Sequence, residues 1–258
     1  MNVIKKRIAA CCAAVLVLAG MYFFWFSPRY TVPVLTYHSF DVSGIADMLL
    51  SVTPSRFEQQ MAFLKKHGYQ VVSFNEVAEG LKAGKQFAHN TVAITIDDGY
   101  QNNYEYAYPV LKKYGFPAII FVATDVMSLS WDEIKEMAAN GIAFGGHTRH
   151  HVYLPGIDDK NVLWDEIDGS KKALEAHGLA AKYFCYPIGG FTTEVKALVQ
   201  KAGYKAACTT NRGRDPRNRE DAYEINRVSI RNSDNPFIFW AKLSGYYNVF
   251  RARKELRE

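Results

Sequence analysis

The sequence predicts an α/β fold built on a parallel sheet or barrel, and two observations carry that prediction. Beyond residue 30, short apolar segments of strand length alternate with helical segments, the rhythm of repeated βα units. One strand, Ala118–Ala123, is continuously apolar, as expected where both faces of a sheet are covered. The 258 residues are 48% hydrophobic and 22% charged, which suits a domain of ordinary size and excludes wholesale disorder and collagen-like or low-complexity structure.

The elements follow in chain order. Val32–Thr36 reads as a short strand. Thr53-Pro54, followed by Phe57, Met61 and Leu64 and closed by Gly68, has the N-cap, first-turn proline and glycine stop of a helix. Ser73-Phe74-Asn75-Glu76 is a capping-box pattern that opens another. Thr91–Ile96 is a strand rich in β-branched residues, and Asn103–Tyr114 is a helix ended by Gly115. After Ala118–Ala123, Ser130 with Glu133 caps a helix that stops at Gly141. Ile142–Phe144, Lys182–Tyr186, Lys205–Thr209 and Glu224–Ile230 read as strands. Val162–His177 and Thr193–Ala202 read as helices, and Asn235-Pro236 opens a last one. Asn211–Glu220 is an arginine-rich loop, read first as a solvated surface.

Ile8–Phe26 is 19 residues without a charge, preceded by Lys5-Lys6-Arg7. As a helix it would be about 28 Å long, close to the hydrocarbon thickness of a bilayer. Tyr22, Phe23, Phe24 and Trp25 would sit at the far interface, and they occupy the place of a small-residue cleavage site. An uncleaved anchor over residues 1–29 is the favoured reading, and a cleaved signal peptide is the alternative. Either puts residues 30–258, one catalytic domain, on the periplasmic or outer side. Without the first 26 residues the net charge falls from +5 to +2, too even a balance for a nucleic-acid-binding face.

Three clusters end predicted strands, where parallel α/β folds place their reactive groups. Thr95-Ile96-Asp97-Asp98-Gly99 brings two carboxylates together, and their repulsion calls for a cation beside one of them. Gly145-Gly146-His147-Thr148-Arg149-His150-His151 holds two imidazoles at i,i+4, so one helical turn would put His147 and His151 on one side, with His150 pointing elsewhere. Tyr186-Pro187-Ile188-Gly189 is a turn able to aim a backbone N–H at a developing oxyanion.

Together these clusters resemble the polysaccharide deacetylases, metal-dependent carbohydrate esterases that remove acetyl groups from sugars. Asp97-Asp98-Gly99, His147-Thr148-Arg149-His150-His151 and Tyr186-Pro187-Ile188-Gly189 match that family's motifs in order and spacing, over roughly residues 31–230. The resemblance implies a distorted (β/α) barrel with fewer than eight regular strands. It implies one divalent metal, by default zinc but equally Co, Ni, Fe or Mn, on Asp98, His147 and His151. It implies Asp97 as general base and the N–H of Tyr186 at the oxyanion. Tyr186, Pro187 and Gly189 are the candidates to line the substrate site, with Tyr100 a candidate for stacking on a sugar ring.

Two departures stand out. The family's base-orienting arginine is here Cys185, and Arg227 is the candidate replacement. The family's late histidine acid is missing, since no histidine follows His177. His38, in Thr36-Tyr37-His38-Ser39 at the first strand's end, is the candidate acid. This early Tyr-His resembles the branch acting on poly-N-acetylglucosamine, in which the barrel is circularly permuted. Tyr104, Phe191, Trp131 and Trp164 are further candidates for stacking on sugar rings, with the core as their ordinary place. Cys185 and Cys208 are expected as buried free thiols, because side-by-side parallel strands suit a disulfide poorly.

The expected activity is therefore removal of N-acetyl groups from a β-linked N-acetylglucosamine polymer, an exopolysaccharide or peptidoglycan. A catalytically weak sugar-binding relative and a deacylase of small molecules are the alternatives. The expected partners are the polysaccharide and, through the N-terminal helix, the membrane. An export or synthesis complex is left open, and no nucleic acid is expected.

Overall fold

The computed structural model describes residues 2–22, 30–41, 50–210 and 221–247. They fall into two units, Met1–Thr31 and Val32–Glu258. The first contains helix α1, Asn2–Met21. No helix among the described residues is long and apolar enough to cross a membrane. Lys5, Lys6 and Arg7 fall within α1, and residues 23–26 of the apolar run lie outside the described residues. The anchor expected over Ile8–Phe26 is thus not supported by the helix that is described. The arginine-rich loop at 211–220 also lies outside the described residues.

In the second unit the described residues form one parallel sheet of nine strands. These are β1 Val34–Tyr37, β2 Gln70–Val72, β3 Thr91–Asp98, β4 Ala118–Val122, β5 Ile142–Gly146, β6 Tyr183–Cys185, β7 Ala206–Thr209, β8 Ile225–Asn226 and β9 Val228–Ser229. Their spatial order is β8-β7-β6-β5-β4-β3-β1-β9, with β2 alongside the start of β3. β8 and β9 are a single run broken only at Arg227. Its first half pairs with β7 and its second half with β1. The two ends of the sheet are therefore consecutive in the chain, and the sheet comes close to a closed barrel. β8 and β9 have two residues each, leaving seven strands of three or more, in keeping with a distorted barrel. β2 escaped the sequence reading because three residues carry too little periodicity to register.

The helices start where local chemistry places them. α2, Pro54–Lys66, is capped by the Thr53 side chain, with Pro54 at the first helical position. α3, Phe74–Lys82, and α5, Trp131–Ala139, each begin with a complete capping box, Ser73 with Glu76 and Ser130 with Glu133. Two expected helices are interrupted. A π-helical turn at Asn103–Ala107 precedes α4, Tyr108–Tyr114, and another at Asp165–Gly169 joins α6, Lys160–Trp164, to α7, Ser170–Ala176. α8, Thr193–Lys201, and α9, Pro236–Lys242, complete the set.

The two-residue period of β3 divides its side chains. Ile94 and Ile96 join an outer core with Phe57, Met61, Leu111 and Met137. Thr95 and Asp97 turn the other way and meet Arg227. Phe121 lies on this second side, 5.9 Å from the Arg227 guanidinium, and packs against Phe74, which in turn packs against Tyr183. The barrel interior is thus apolar below and charged towards the strand ends. Cys185 and Cys208 are register partners on β6 and β7, both buried and both free.

Candidate active site

Asp97 is 2% exposed, and Arg227, from the β8–β9 break on the far side of β1, clamps it. Nη1 donates to Oδ1 and Nη2 to Oδ2, both at 2.7 Å, a fork-to-fork pair. Nη1 also donates to Thr95 Oγ1 at 3.0 Å, and Nη2 lies 3.1 Å from Cys185 Sγ. Burial alone would raise the pKa of Asp97, but Arg227 outweighs it and holds the carboxyl below its usual range. Burial pushes the Cys185 thiol well up, so it stays neutral. Its small side chain leaves space for the guanidinium that arrives from the neighbouring part of the barrel.

His38 Nε2 is 3.6 Å from Asp97 Oδ2. Asn103, in the π-helical turn before α4, donates to the His38 carbonyl at 2.8 Å and fixes the end of β1. Burial lowers the pKa of His38, and the opposing pull of Asp97 does not restore it. The imidazole is accordingly neutral at neutral pH.

Alternation along β3 would send Asp98 away from Asp97. Instead Asp98 adopts φ 76° and Gly99 φ 74°. Two left-handed residues in succession swing the second carboxylate round at the strand mouth, and Asp is one of the few side chains that tolerate this. Asp98 Oδ1 lies 3.3 Å from His147 Nε2 and 3.2 Å from His151 Nε2. The His147–His151 pair is not produced by one helical turn, as its spacing suggested. The segment after β5 is a loop with left-handed Thr148, φ 64°, and His151, φ 57°. His147 Nδ1–H donates to the Cys185 carbonyl at 2.7 Å, which turns its Nε2 towards Asp98.

Asp98, His147 and His151 form a cluster of metal-ligating type. The fit is favourable: Asp98 Oδ1 is buried, receives no hydrogen bond and faces two imidazole nitrogens. Three lone pairs converging on one point need a cation, or protons in its place. Two histidines and one carboxylate also leave coordination positions for water and substrate. A second grouping, Asp97 with His147 and Cys185, fits poorly. Arg227 occupies both oxygens of Asp97, the thiol is neutral, and His147 Nδ1 is committed to a carbonyl.

The third motif departs from expectation in one respect. The N–H of Tyr186 donates to the Cys208 carbonyl at 3.0 Å, continuing the β6–β7 ladder, so it is not available to an oxyanion. Pro187 has no N–H, and those of Gly189 and Gly190 turn back onto Tyr186 and Pro187. Ile188 supplies the remaining donor of the turn, at φ 59° and with its side chain 58% exposed. Gly189 is required, since a Cβ there would lie 1.9 Å from Thr210 Oγ1. Pro187 is buried and Tyr100 is exposed just beyond Gly99. The Tyr186 ring is buried and stacks on Phe191. Trp131 stacks on His177, Trp164 lies under Lys201, and Tyr104 donates to Glu136, so these aromatics have protein partners.

The sequence reading left out the supports of the site. Thr95 was signalled only by its spacing of two from Asp97, and Asp125 and Glu166 by nothing local. Arg149, without a role on sequence alone, pairs with Asp125 and Asp165.

A near-closed parallel barrel with its ionisable groups gathered at the carboxyl ends of the strands is the framework of a barrel hydrolase. The chain belongs to the polysaccharide deacetylase family, and it is a deacetylase. The family profile matches residues 84–207. The chain is 34% identical over 203 residues to YxkH of Bacillus subtilis strain 168, covering 77% of this chain and 71% of that one. It is 31% identical over 206 residues to a poly-beta-1,6-N-acetyl-D-glucosamine N-deacetylase of Staphylococcus aureus, covering 72% and 69%. Among solved structures, the Streptococcus pyogenes deacetylase PplD in complex with acetate superposes with a TM-score of 0.75 at 29% identity, over 82% of this chain and 97% of that one.

Proposed function

We propose that this deacetylase removes N-acetyl groups from a β-linked N-acetylglucosamine polysaccharide, using one divalent metal ion held by Asp98, His147 and His151. The observation that carries the reading is the division of labour between adjacent carboxylates. Asp98 faces two imidazoles with an unsatisfied oxygen, while Asp97 is ionised and clamped 2.7 Å from Arg227. The activity in the Staphylococcus relative's name favours a poly-N-acetylglucosamine chain over peptidoglycan.

A divalent ion on those ligands, zinc by default, supplies Lewis acidity that makes water a nucleophile near neutral pH. Asp97 accepts the proton of the attacking water, and Arg227 keeps it ionised beforehand and correctly turned. His38, neutral and 3.6 Å from Asp97, is placed to receive that proton and deliver it to the departing amine. The N–H of Ile188 takes the oxyanion role first expected of Tyr186. Tyr100, Pro187 and Gly189 border the substrate. Arg227 supplies the cation that Cys185 does not, which removes one of the two grounds for reading the chain as a catalytically weak relative.

We further place residues 30–258 outside the cytoplasm. The support is the uncharged run Ile8–Phe26 after Lys5-Lys6-Arg7, together with a polymer substrate that is expected outside.

The test is acetate release from N-acetylglucosamine oligomers of increasing length by zinc-loaded, chelated, Asp97→Asn and His38→Gln protein. Chelation should abolish release, and each substitution should slow it about 10²- to 10⁴-fold. Rates should rise with chain length. Release that survives both chelation and Asp97→Asn would sink the mechanism, and release from monomers alone would sink the polymer substrate.

A further inference from the structure

The loop that carries His147 and His151 contains two left-handed residues, Thr148 and His151. Such conformations persist only where the surroundings over-determine them. Whatever fixes this loop also fixes two of the three groups that face the ion.

Glu166 is the residue best placed to do so. It is 5% exposed and rises from the π-helical turn at Asp165–Gly169. Its Oε2 accepts two successive backbone N–H groups of the loop, from Arg149 at 2.9 Å and His150 at 3.0 Å. Its Oε1 accepts Nδ1–H of His150 at 2.7 Å. Successive N–H groups aimed at one point form an anion-binding nest, filled here by the protein's own carboxylate. This also explains His150, which stands between two candidate ligands yet turns away from them.

The far side of the loop is braced independently. The N–H groups of Thr124 and Asp125, just beyond β4, donate to the carbonyls of Thr148 and Arg149. Arg149 Nε and Nη2 reach back to Asp125 Oδ2 at 3.0 and 2.6 Å. Gly169 makes room for this arginine, because a Cβ there would lie 2.7 Å from Arg149 Cδ. The π-helical turn thus supplies the carboxylate and the gap together.

We propose that Glu166 is a positioning residue for the metal centre. It holds residues 147–151 in the conformation that presents His147 and His151 to the ion, with His150 as its second contact. This rests on the assignment of Asp98, His147 and His151 as ligands, and the experiment tests the two separately.

The full chain is titrated with Co(II) alone, and the visible absorption of the bound ion is followed. Wild type should bind, and His147→Ala should not. Failure of either overturns the ligand assignment and this proposal with it. Glu166→Ala should weaken Co(II) binding about 10- to 100-fold and shift the absorption bands. Glu166→Gln, which keeps an acceptor for the two N–H groups, should recover most of the affinity. Asp159→Ala removes the side chain that caps α6 on the same helical segment, and it should bind Co(II) as wild type does. Wild-type affinity and spectrum in Glu166→Ala would overturn the clamp alone, as would an equal loss in Asp159→Ala. If Glu166→Ala does not fold, His150→Ala decides. A weakened affinity supports the clamp, and wild-type binding overturns it.

Discussion

Asp97 and Asp98 are neighbours in sequence and opposites in environment. Asp97 lies on the regular part of β3, faces the barrel interior and has both oxygens bonded to one guanidinium. Asp98 sits at the left-handed end of the same strand, with an oxygen that no donor satisfies and two imidazoles before it. The fold finishes one carboxylate and leaves the other unfinished. A base must be ionised and correctly turned before substrate arrives, so its partner is built in. A ligand must keep a lone pair directed at its ion, so it lacks a protein donor. Electrostatics alone would not separate the two, since both carboxyls are held below their usual range.

The largest expected effect comes from breaking the finished half. Arg227→Met leaves Asp97 buried without its cation, and losing one partner of a buried pair costs about 3–5 kcal/mol. The midpoint of urea unfolding should fall accordingly. Acetate release should collapse with it, because Asp97 would then tend to hold a proton at neutral pH. Unchanged stability would mean that Arg227 is not the partner on which Asp97 depends.

The unfinished half should show itself through protons rather than stability. In the ion-free site, burial would lower the pKa of His147, but the carboxylates of Asp98 and Asp97 push the other way and raise it. His151 is raised as well, by the Asp98 carboxylate beside it. The ion-free site therefore holds protons on these imidazoles more tightly than free histidine does, and an arriving ion must displace them. Affinity for Zn(II) or Co(II) should fall as pH falls. Calorimetric titrations near pH 7 in buffers of different ionisation enthalpy should reveal net proton release. Heats that do not depend on the buffer would remove the histidines from the site.

The two halves also differ in how readable they were. The strand ends, capping boxes and joint spacing of the Asp, His and Tyr-Pro-x-Gly motifs are local signals. They located the barrel and its mouth because each acts within a few residues. Arg227 could be nominated only because a cation was missing at Cys185, and its contact with Asp97 spans 130 positions of sequence. Glu166 was invisible, since nothing around it in sequence hints that its carboxylate receives backbone donors from the histidine loop. The expected helical turn at 147–151 failed because i,i+4 spacing cannot reveal that Thr148 and His151 turn left-handed. The Tyr186 N–H failed for a related reason, as the sheet ladder extends one residue further than the turn motif suggests.

The smallest effect sharpens the contrast most, because it tests how the finished half is held together. Thr95 is fully buried, donates to the Leu35 carbonyl at 2.9 Å and accepts from Arg227 Nη1 at 3.0 Å. Thr95→Val keeps the shape and removes both bonds, one of them to a charged group. A loss of about 1.5–3 kcal/mol is expected, with little change in ion affinity, since the hydrogen bonds of the Thr95 hydroxyl go to Leu35 and Arg227 and not to the His147 loop. The cost should also shrink when the change is made in Arg227→Met protein, where half of what Thr95 does has already gone. Residues sharing one hydrogen-bond network couple in this way, whereas distant ones add. A double-mutant cycle by urea unfolding measures the difference. Simple additivity would mean that Asp97 and Arg227 act as an isolated pair, and that Thr95 is only part of the strand beneath them.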